Sequence, residues 1–180
     1  MAKVAFVLGE DFEDDEFRVP YDRIRGAGHE VVIVGVKSGS FVEGKRGREK
    51  VAIQATANDI RPEDFALLVI PGGYSPDHLR MDINIVRFVR EFGLMDRPIA
   101  AVCHGPSLLI EADLVDGRRV TSWPSIHADL VNAGAHWEDN QVIEDGNLIT
   151  SRNPGDLDAF SGAILNRLNV AAQTKVPAPA

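Results

Sequence analysis

The sequence predicts a three-layer α/β/α sandwich built around a mainly parallel sheet. Four short apolar runs are rich in Val, Ile and Leu, which is typical of strands that are buried on both faces. Segments with helical spacing separate these runs, and this alternation favours parallel strands joined by right-handed crossovers. The chain has 180 residues, 44% of them hydrophobic, which is enough for one buried core. We therefore expect a single domain.

The predicted elements alternate regularly through the first part of the chain. The strand candidates are, in order, Lys3–Leu8, Glu30–Val36, Ala66–Ile70 and Pro98–Val102. The helix candidates, of which the first ends at a Gly-Ala-Gly stop, are Asp14–Ala27, Ser75–Phe92 and Gly105–Ala112.

The last part of the chain combines shorter elements with a closing helix. The segments Val120–Ser122 and Ser125–Ala133 predict a short strand and a helix. The stretch 136–151 predicts a hairpin whose turn includes Asp145-Gly146. A helix over Pro154–Leu168, with Pro in its first turn, closes a domain of residues 1–170. Residues 171–180 are small, contain Pro and lack periodicity, so they predict a flexible tail.

Composition limits the partners and the compartment. No segment approaches the roughly 20 apolar residues of a spanning helix, and the N-terminal residues lack the pattern of a signal peptide, so we expect a cytoplasmic protein without a membrane partner. The net charge of −8 disfavours nucleic acid as a partner. The basic stretch GKRGREK, residues 44–50, is the exception, and we interpret it as a solvated loop rather than a phosphate-binding patch.

The only cysteine, Cys103, follows the fourth predicted strand directly and precedes a predicted helix. The pattern A-x-C-x-G from Ala101 to Gly105 resembles the G-x-S-x-G turn of hydrolases, in which a strained turn exposes a nucleophile. Free N–H groups and the helix dipole at this turn favour a thiolate. Inert packing is the alternative for an isolated cysteine, but the adjacent His104 and Gly105 favour a reactive thiol.

A Pro-Gly-Gly turn follows the third predicted strand. The backbone of Gly72 and Gly73 can approach a ligand closely, so we expect it to line a substrate pocket. The N–H of Gly73, together with that of His104, is our candidate oxyanion hole. A simple turn before the next helix is the alternative interpretation.

An acidic stretch follows the first predicted strand, with six carboxylates between residues 10 and 16. We expect solvated or dipole-stabilising side chains at most of these positions, namely Glu10, Asp11, Asp14 and Asp15. Glu16 differs because its place on the first helix allows its carboxyl group to approach the cysteine. Like-charge repulsion beside a thiolate would raise the pKa of Glu16 and let its acid form donate a hydrogen bond to sulfur.

These motifs together resemble the PfpI family of the DJ-one/PfpI superfamily, over residues 3 to about 168. The segments that carry the resemblance are FEDDEFRVPYDRIRGAGHEV, LLVIPGGYSPDHLR, AVCHGPSLLIEA, TSWPSIHADLVNAGAHW and DGNLITSRNPGDL. The resemblance implies a flavodoxin-like or glutamine amidotransferase-like fold and a homodimer or larger homo-oligomer. It implies no cofactor.

The resemblance also assigns roles to residues. It implies that Cys103 is the nucleophile, that His104 is its partner and that Glu16 is the acid in contact with sulfur. In peptidase-like members a neighbouring subunit supplies a carboxylate that orients the histidine, and Asp77 is the matching position here. Trp123 stands where many relatives have His or Tyr, so we expect it to narrow the substrate pocket.

Three functions are compatible with these residues. The first is an enzyme acting on small reactive carbonyls, of the glyoxalase III or deglycase type, in which Cys103 adds to an aldehyde. The second is peptide hydrolysis through an acyl-thioester, and the third is a redox-sensing stress protein that uses oxidation of Cys103. The remaining histidines do not fall in a metal-ligand spacing, so we expect no metal site.

Overall fold

The computed structural model describes residues 1–173 and contains a six-stranded sheet at its centre. The strands of the described chain are β1 (Lys3–Val7), β2 (Glu30–Val34), β3 (Phe41–Glu43), β4 (Lys50–Ala52), β5 (Leu67–Ile70), β6 (Ile99–Val102), β7 (Arg119–Val120), β8 (His136–Trp137), β9 (Val142–Asp145) and β10 (Leu148–Ser151). The central sheet has the order β2-β1-β5-β6-β10-β9. Only the pairing of β9 with β10 is antiparallel in this sheet, so the predicted mainly parallel sheet is confirmed.

Helices cover both faces of the sheet. They are α1 (Asp14–Gly26), α2 (Ser75–Leu79), α3 (Ile83–Leu94), α4 (Pro106–Glu111), α5 (His127–Asn132) and α6 (Leu157–Gln173). One hydrophobic core joins the sheet to α2 through α5, and a second core on the other face joins it to α1 and α6. The three-layer α/β/α sandwich is therefore confirmed. Strands β5 and β6 are buried along their whole length because helices cover both their faces.

The predicted helix Ser75–Phe92 is wrong, because two helices occupy this segment. The first helix, α2, ends at Leu79, and Asp82 begins α3 as its N-cap. The carboxylate of Asp82 accepts hydrogen bonds from the backbone N–H groups of Asn84, at 2.8 Å, and Ile85, at 3.1 Å. This cap satisfies two N–H groups that a new helix leaves free, which stabilises the break.

Two small strand pairs were not predicted from the sequence. Strands β3 and β4 form an antiparallel hairpin, and the basic stretch 44–50 spans its turn and the first residue of β4. Strand β7 pairs in parallel with β8, so the predicted strand Val120–Ser122 begins one residue earlier and ends two residues earlier. Residues His136 and Trp137 thus pair with β7 rather than extend the predicted hairpin.

The predicted hairpin itself is formed by β9 and β10, in which Asp145 pairs with Leu148. Gly146 takes a φ of +54° at the tip, a conformation that glycine adopts without steric cost. A short 3₁₀ turn, Pro154–Asp156, precedes α6, which extends five residues beyond the predicted end at Leu168. Of the predicted tail 171–180, the first three residues belong to α6 and residues 174–180 lie outside the described chain.

Candidate active site

The candidate site lies where β5 and β6 end at the same edge of the sheet, since Ile70 pairs with Ala101. Cys103 follows β6 with a φ of +60°, a left-handed conformation that is costly for a residue with a Cβ atom. Its N–H donates to Ser151 O at 3.0 Å. A Cβ atom on Gly105 would lie 2.5 Å from Ile70 O, so only glycine permits this close approach of the two turns. The predicted elbow is therefore present.

The Pro-Gly-Gly turn lies beside the cysteine. Gly73 has a φ of +74°, and a Cβ atom there would lie 2.4 Å from Asp11 O. The turn is fixed by backbone hydrogen bonds from Glu13 N to Gly72 O, at 3.2 Å, and from Tyr74 N to Asp11 O, at 2.8 Å. The N–H groups of Gly73 and His104 both donate toward the sulfur of Cys103. These two donors can therefore serve an oxyanion that forms on a carbon bound to the sulfur.

Glu16 is completely buried beneath this pair of turns. Its Oε2 accepts a hydrogen bond from Gly72 N at 2.8 Å, and its side chain also contacts the thiol of Cys103. Burial raises the pKa of Glu16 to about 8, although the Gly72 and Cys103 hydrogen bonds act in the opposite direction. The carboxyl group is therefore mainly protonated at neutral pH and can act as a hydrogen-bond donor.

Burial opposes the predicted thiolate at Cys103. Burial, and then the charge of nearby Glu16, raise the pKa of the thiol, while the N–H groups of His104 and Gly73 only partly oppose this. Glu16 raises the pKa of the thiol only when it is ionised, and at neutral pH it is mainly protonated. Burial is then the main cause of the raised pKa of Cys103. Only 8% of Cys103 is exposed, and a thiolate would lose most of its hydration there. Burial thus favours the thiol over the thiolate, and a base beside the sulfur would assist its ionisation.

His104 provides that base. Its Nδ1 lies 3.3 Å from Cys103 Sγ, and its Nε2 lies 3.1 Å from the hydroxyl of Ser125. Burial, and then the charge of Lys45, lower the pKa of His104, so the imidazole is neutral at neutral pH. If the Ser125 hydroxyl accepts a hydrogen bond from Nε2–H, the neutral imidazole carries its proton on Nε2. Nδ1 is then free to accept the thiol proton.

Asp77 is exposed on α2 of the same chain. Within the described chain the ring nitrogens of His104 contact Cys103 and Ser125, not Asp77. A contribution of Asp77 to a neighbouring subunit remains a prediction. The sequence did not indicate Ser125, because a serine in a Trp-Pro-Ser turn is a common helix-start residue and its approach to His104 depends on tertiary packing.

A cavity of about 280 Å³ opens above the sulfur. Its lining includes Glu16, Gly73, Tyr74, Cys103, His104, Trp123 and Pro154. Trp123 is 41% exposed at the edge of the cavity, and its backbone N–H donates to Cys103 O at 3.0 Å. The sequence predicted that Gly72 would line the cavity, but Gly72 is not among the lining residues. It lies behind it, where its N–H holds Glu16.

The acidic and basic stretches meet at this cavity, which the sequence analysis missed. Glu13 is buried and pairs with Lys45, at 2.7 Å, and with Arg46, at 3.1 Å, and all three residues line the cavity. Most of the loop 44–50 is exposed, as predicted, but the prediction missed that two of its cations pair with Glu13 at the cavity. The opposite charges of the two stretches were the available signal, but charge alone does not specify which loops come together.

Asp14 was expected to be solvated and is instead buried. It accepts hydrogen bonds at 2.9 Å from the backbone N–H groups of Arg46, Arg48 and Glu49. Burial opposes ionisation, but these N–H donors together lower the pKa of Asp14. A charged Asp14 therefore fixes the backbone of the basic loop against α1.

Among residues 1–173, no three side chains of His, Cys, Asp or Glu come close enough together to hold a metal ion. No helix within this range is long and apolar enough to cross a membrane.

Comparison with known proteins identifies the family of this chain. The family model described as DJ-1/PfpI family matches residues 2–167. The chain belongs to the DJ-1/PfpI family. It is 43% identical over 167 residues to "Protein/nucleic acid deglycase 2" of Escherichia coli (strain K12), which covers 92% of this chain and 97% of the relative. A Bacillus subtilis (strain 168) relative named as a candidate cysteine protease, YraA, is 42% identical over 166 residues, or 92% and 98% of the two chains.

A solved structure shows the same fold. It is a two-domain protein from Anabaena variabilis with a DJ-1/ThiJ/PfpI-like domain and a ferritin-like domain. The TM-score is 0.93 at 44% sequence identity, and the match covers 94% of this chain and 48% of that one. This DJ-1/PfpI chain thus corresponds to about half of the two-domain protein.

The arrangement in this DJ-1/PfpI chain supports nucleophilic chemistry at one sulfur. Cys103 has a base in His104, two N–H donors for a developing oxyanion, and a protonated acid in Glu16. These are the components that addition of a thiol to a carbonyl carbon requires.

Proposed function

We propose that the protein is a protective, cysteine-dependent enzyme that acts on small reactive carbonyl compounds, with glyoxalase III or deglycase activity. The observation that carries the proposal is a small cavity whose floor combines a thiol, a neutral imidazole and a protonated carboxyl group. This combination can exchange protons at neutral pH without a cofactor. The relative named as a protein/nucleic acid deglycase supports this class of substrate.

The first step is addition of Cys103 to an aldehyde such as methylglyoxal. The thiol proton passes to Nδ1 of His104, which lies 3.3 Å away, as the sulfur forms a bond to the aldehyde carbon. The carbonyl π electrons move to oxygen, and this oxyanion accepts hydrogen bonds from the N–H groups of Gly73 and His104. The imidazolium then returns its proton to the oxyanion, which gives a hemithioacetal.

The second step moves a proton between adjacent carbons. Neutral His104 removes the proton from the sulfur-bearing carbon, the electron pair forms a carbon–carbon double bond, and the protonated Glu16 supplies a proton to the neighbouring carbonyl oxygen. The resulting enediol accepts the proton from His104 at the second carbon and returns the first hydroxyl proton to Glu16, which gives a thioester. Water hydrolyses this thioester to a 2-hydroxy acid and frees the thiol. The net reaction adds one water and needs no external oxidant.

Peptide hydrolysis is the second candidate, because one relative is named as a candidate cysteine protease. It would use the same sulfur and the same N–H donors to form an acyl-thioester. A cavity of about 280 Å³ bordered by Trp123 favours a small substrate over an extended peptide. The sensor alternative is disfavoured by the raised pKa of Cys103, since oxidation of a thiol depends on its thiolate fraction.

The test compares the wild type with Cys103→Ala and Glu16→Gln, all kept reduced. We expect wild type to convert methylglyoxal to lactate, Cys103→Ala to show no turnover, and Glu16→Gln to lose about 10²- to 10⁴-fold in kcat/KM. Arg48→Gln is the control, because Arg48 pairs with Asp15 outside the cavity lining.

The same three proteins are assayed on a fluorogenic peptide. Cys103-dependent peptide cleavage without lactate formation would replace the proposal by the peptidase. Absence of both activities, with stoichiometric oxidation of Cys103 by mild peroxide, would favour the sensor.

A further inference from the structure

The entrance of the cavity carries more positive charge than the chain as a whole. The protein has a net charge of −8, yet Lys45 and Arg46 line the cavity, where Glu13 pairs with both of them and Glu16 is the other acid. Glu16 is mainly protonated and His104 is neutral, as described above. The cavity therefore has an excess of one positive charge.

These two cations are held in place by contacts outside the cavity. Buried Asp14 binds three N–H groups of their loop, and Lys45 N donates to Phe12 O at 2.9 Å. Phe12 also bridges Gly44 and Gly73, which ties the basic loop directly to the turn beside the sulfur. The backbone that carries the two cations is thus fixed relative to Cys103 before any ligand arrives, which lowers the entropic cost of binding.

Both side chains have hydrogen-bond donors beyond those that Glu13 uses. Lys45 has three N–H donors, of which one faces Glu13 Oε2 at 2.7 Å. Arg46 has five donors, of which Nε faces Glu13 Oε1 and Nη1 lies 4.0 Å from Asp15, whose closer partner is Arg48. An anion in the cavity could bind the remaining donors without displacing Glu13.

We propose that Lys45 and Arg46 form a carboxylate-binding subsite, so that the preferred substrates are small carbonyl compounds that also carry a carboxylate. The excess of one positive charge matches a monoanion better than a doubly charged phosphate. Lys45 and Arg46 line the same cavity as Cys103, so a carboxylate bound to them would lie in the cavity that holds the reacting carbon. This inference rests on the proposed function for its substrate class, but the subsite can be tested without turnover.

The test is the rate of alkylation of Cys103 by iodoacetate and by iodoacetamide. The two reagents have nearly the same shape and react with the same sulfur, and only iodoacetate carries a carboxylate. Because both depend equally on the thiol pKa, the ratio of their second-order rate constants isolates the effect of the charge. Free N-acetylcysteine supplies the reference ratio.

We expect the wild-type ratio of iodoacetate to iodoacetamide to exceed that of N-acetylcysteine. Lys45→Met and Arg46→Met should each lower the ratio about fivefold or more, as expected for loss of a charge-assisted hydrogen bond. Lys45→Arg should restore most of it. Arg48→Met, on the same loop but paired with Asp15, should leave the ratio unchanged.

Two outcomes would overturn the subsite. One is a ratio that Lys45→Met and Arg46→Met leave unchanged, and the other is an equal fall in the Arg48→Met variant, which would indicate general surface charge. Iodoacetamide labelling in each variant reports whether the site is intact, since a misfolded site would change both rates together.

Protection experiments distinguish the chemistry of the anion. At constant ionic strength, lactate should slow iodoacetate labelling of the wild type more than inorganic phosphate does. The reverse order would overturn the choice of a carboxylate. If methylglyoxal turnover fails while the alkylation ratio behaves as expected, the proposed reaction is wrong and the subsite stands.

Discussion

Two neighbouring turns at the same edge of the sheet solve the same steric problem in different ways. Both follow a buried parallel strand, and both contain one residue with positive φ, Gly73 at +74° and Cys103 at +60°. At Gly73 a Cβ atom would lie 2.4 Å from Asp11 O and 2.5 Å from Glu13 N, so a side chain has no space. At Cys103 the side chain is present and the backbone carries the strain.

The difference shows which of the two turns serves the scaffold and which serves the chemistry. A left-handed conformation costs an L residue about 1–2 kcal/mol, and glycine avoids this cost. Gly73 therefore satisfies the geometry without strain. Cys103 retains the strain because its left-handed backbone holds the sulfur beside Glu16, His104 and the N–H of Gly73.

The largest expected effect is that of a side chain at Gly73. Gly73→Ala should lower the free energy of unfolding by about 4 kcal/mol or more, because its Cβ atom would meet backbone atoms that cannot rotate away. Chemical denaturation of the purified variant measures this. A loss below 1 kcal/mol would show that the segment 11–13 can move and that the two turns are less tightly joined.

The second effect concerns the pH dependence of stability that buried Glu16 imposes. The unfolded chain releases this proton near pH 4.5 and the folded chain near pH 8, so stability falls as pH rises between these values. Relative to Glu16→Gln, the wild type should lose about 2–3 kcal/mol between pH 5 and pH 7, at roughly 1.4 kcal/mol per pH unit. If the wild type and Glu16→Gln differ in stability by the same amount at pH 5 and at pH 7, the raised pKa of Glu16 is contradicted.

The third effect concerns the ionisation of the cysteine. Because burial raises the pKa of Cys103, its alkylation by iodoacetamide should accelerate about tenfold per pH unit between pH 7 and pH 9 without a plateau. Mass spectrometry of quenched samples gives the rates. A plateau below pH 7 would show that the helix N-terminus outweighs burial and that the resting residue is a thiolate.

The smallest effect isolates the strain at the elbow. Cys103→Gly should be about 0.5–1 kcal/mol more stable than Cys103→Ala, since relief of the left-handed strain exceeds the entropic cost of a glycine in the unfolded chain. Both variants lack the sulfur, so denaturation compares backbone effects alone. Equal stability would place the strain elsewhere in the turn.

Much of the fold followed from the sequence, because its signals are local. Strands β1, β2, β5 and β6 and helix α1 lie within two residues of their predicted bounds. Buried strands need continuous apolar runs, and the Gly-containing stops mark where helices end. The break at Asp82 was missed because an acidic residue within a helical pattern is compatible with both a cap and a solvated helix position.

The site was predicted in part. Cys103, His104, Gly73 and Glu16 lie together as expected, since each immediately follows a strand or begins a helix at one sheet edge. Ser125 and the pair Lys45 and Arg46 were not predicted to take part. In the sequence these residues lie more than 20 positions from Cys103, and their approach to it depends on loops that have no periodic pattern.

The sequence by itself determined the order of the main strands and helices, the strained turn at Cys103 and the acid that follows β1. Only the tertiary structure decided the protonation of the site and the charge of its entrance. The reason is physical: turn conformation depends on a few adjacent residues, whereas burial and ion pairing depend on which distant segments meet. Burial in the hydrophobic layer of α1 and α6 opposes the expected thiolate, and the docking of loop 44–50 on Glu13 and Asp14 gave the cavity its positive charge.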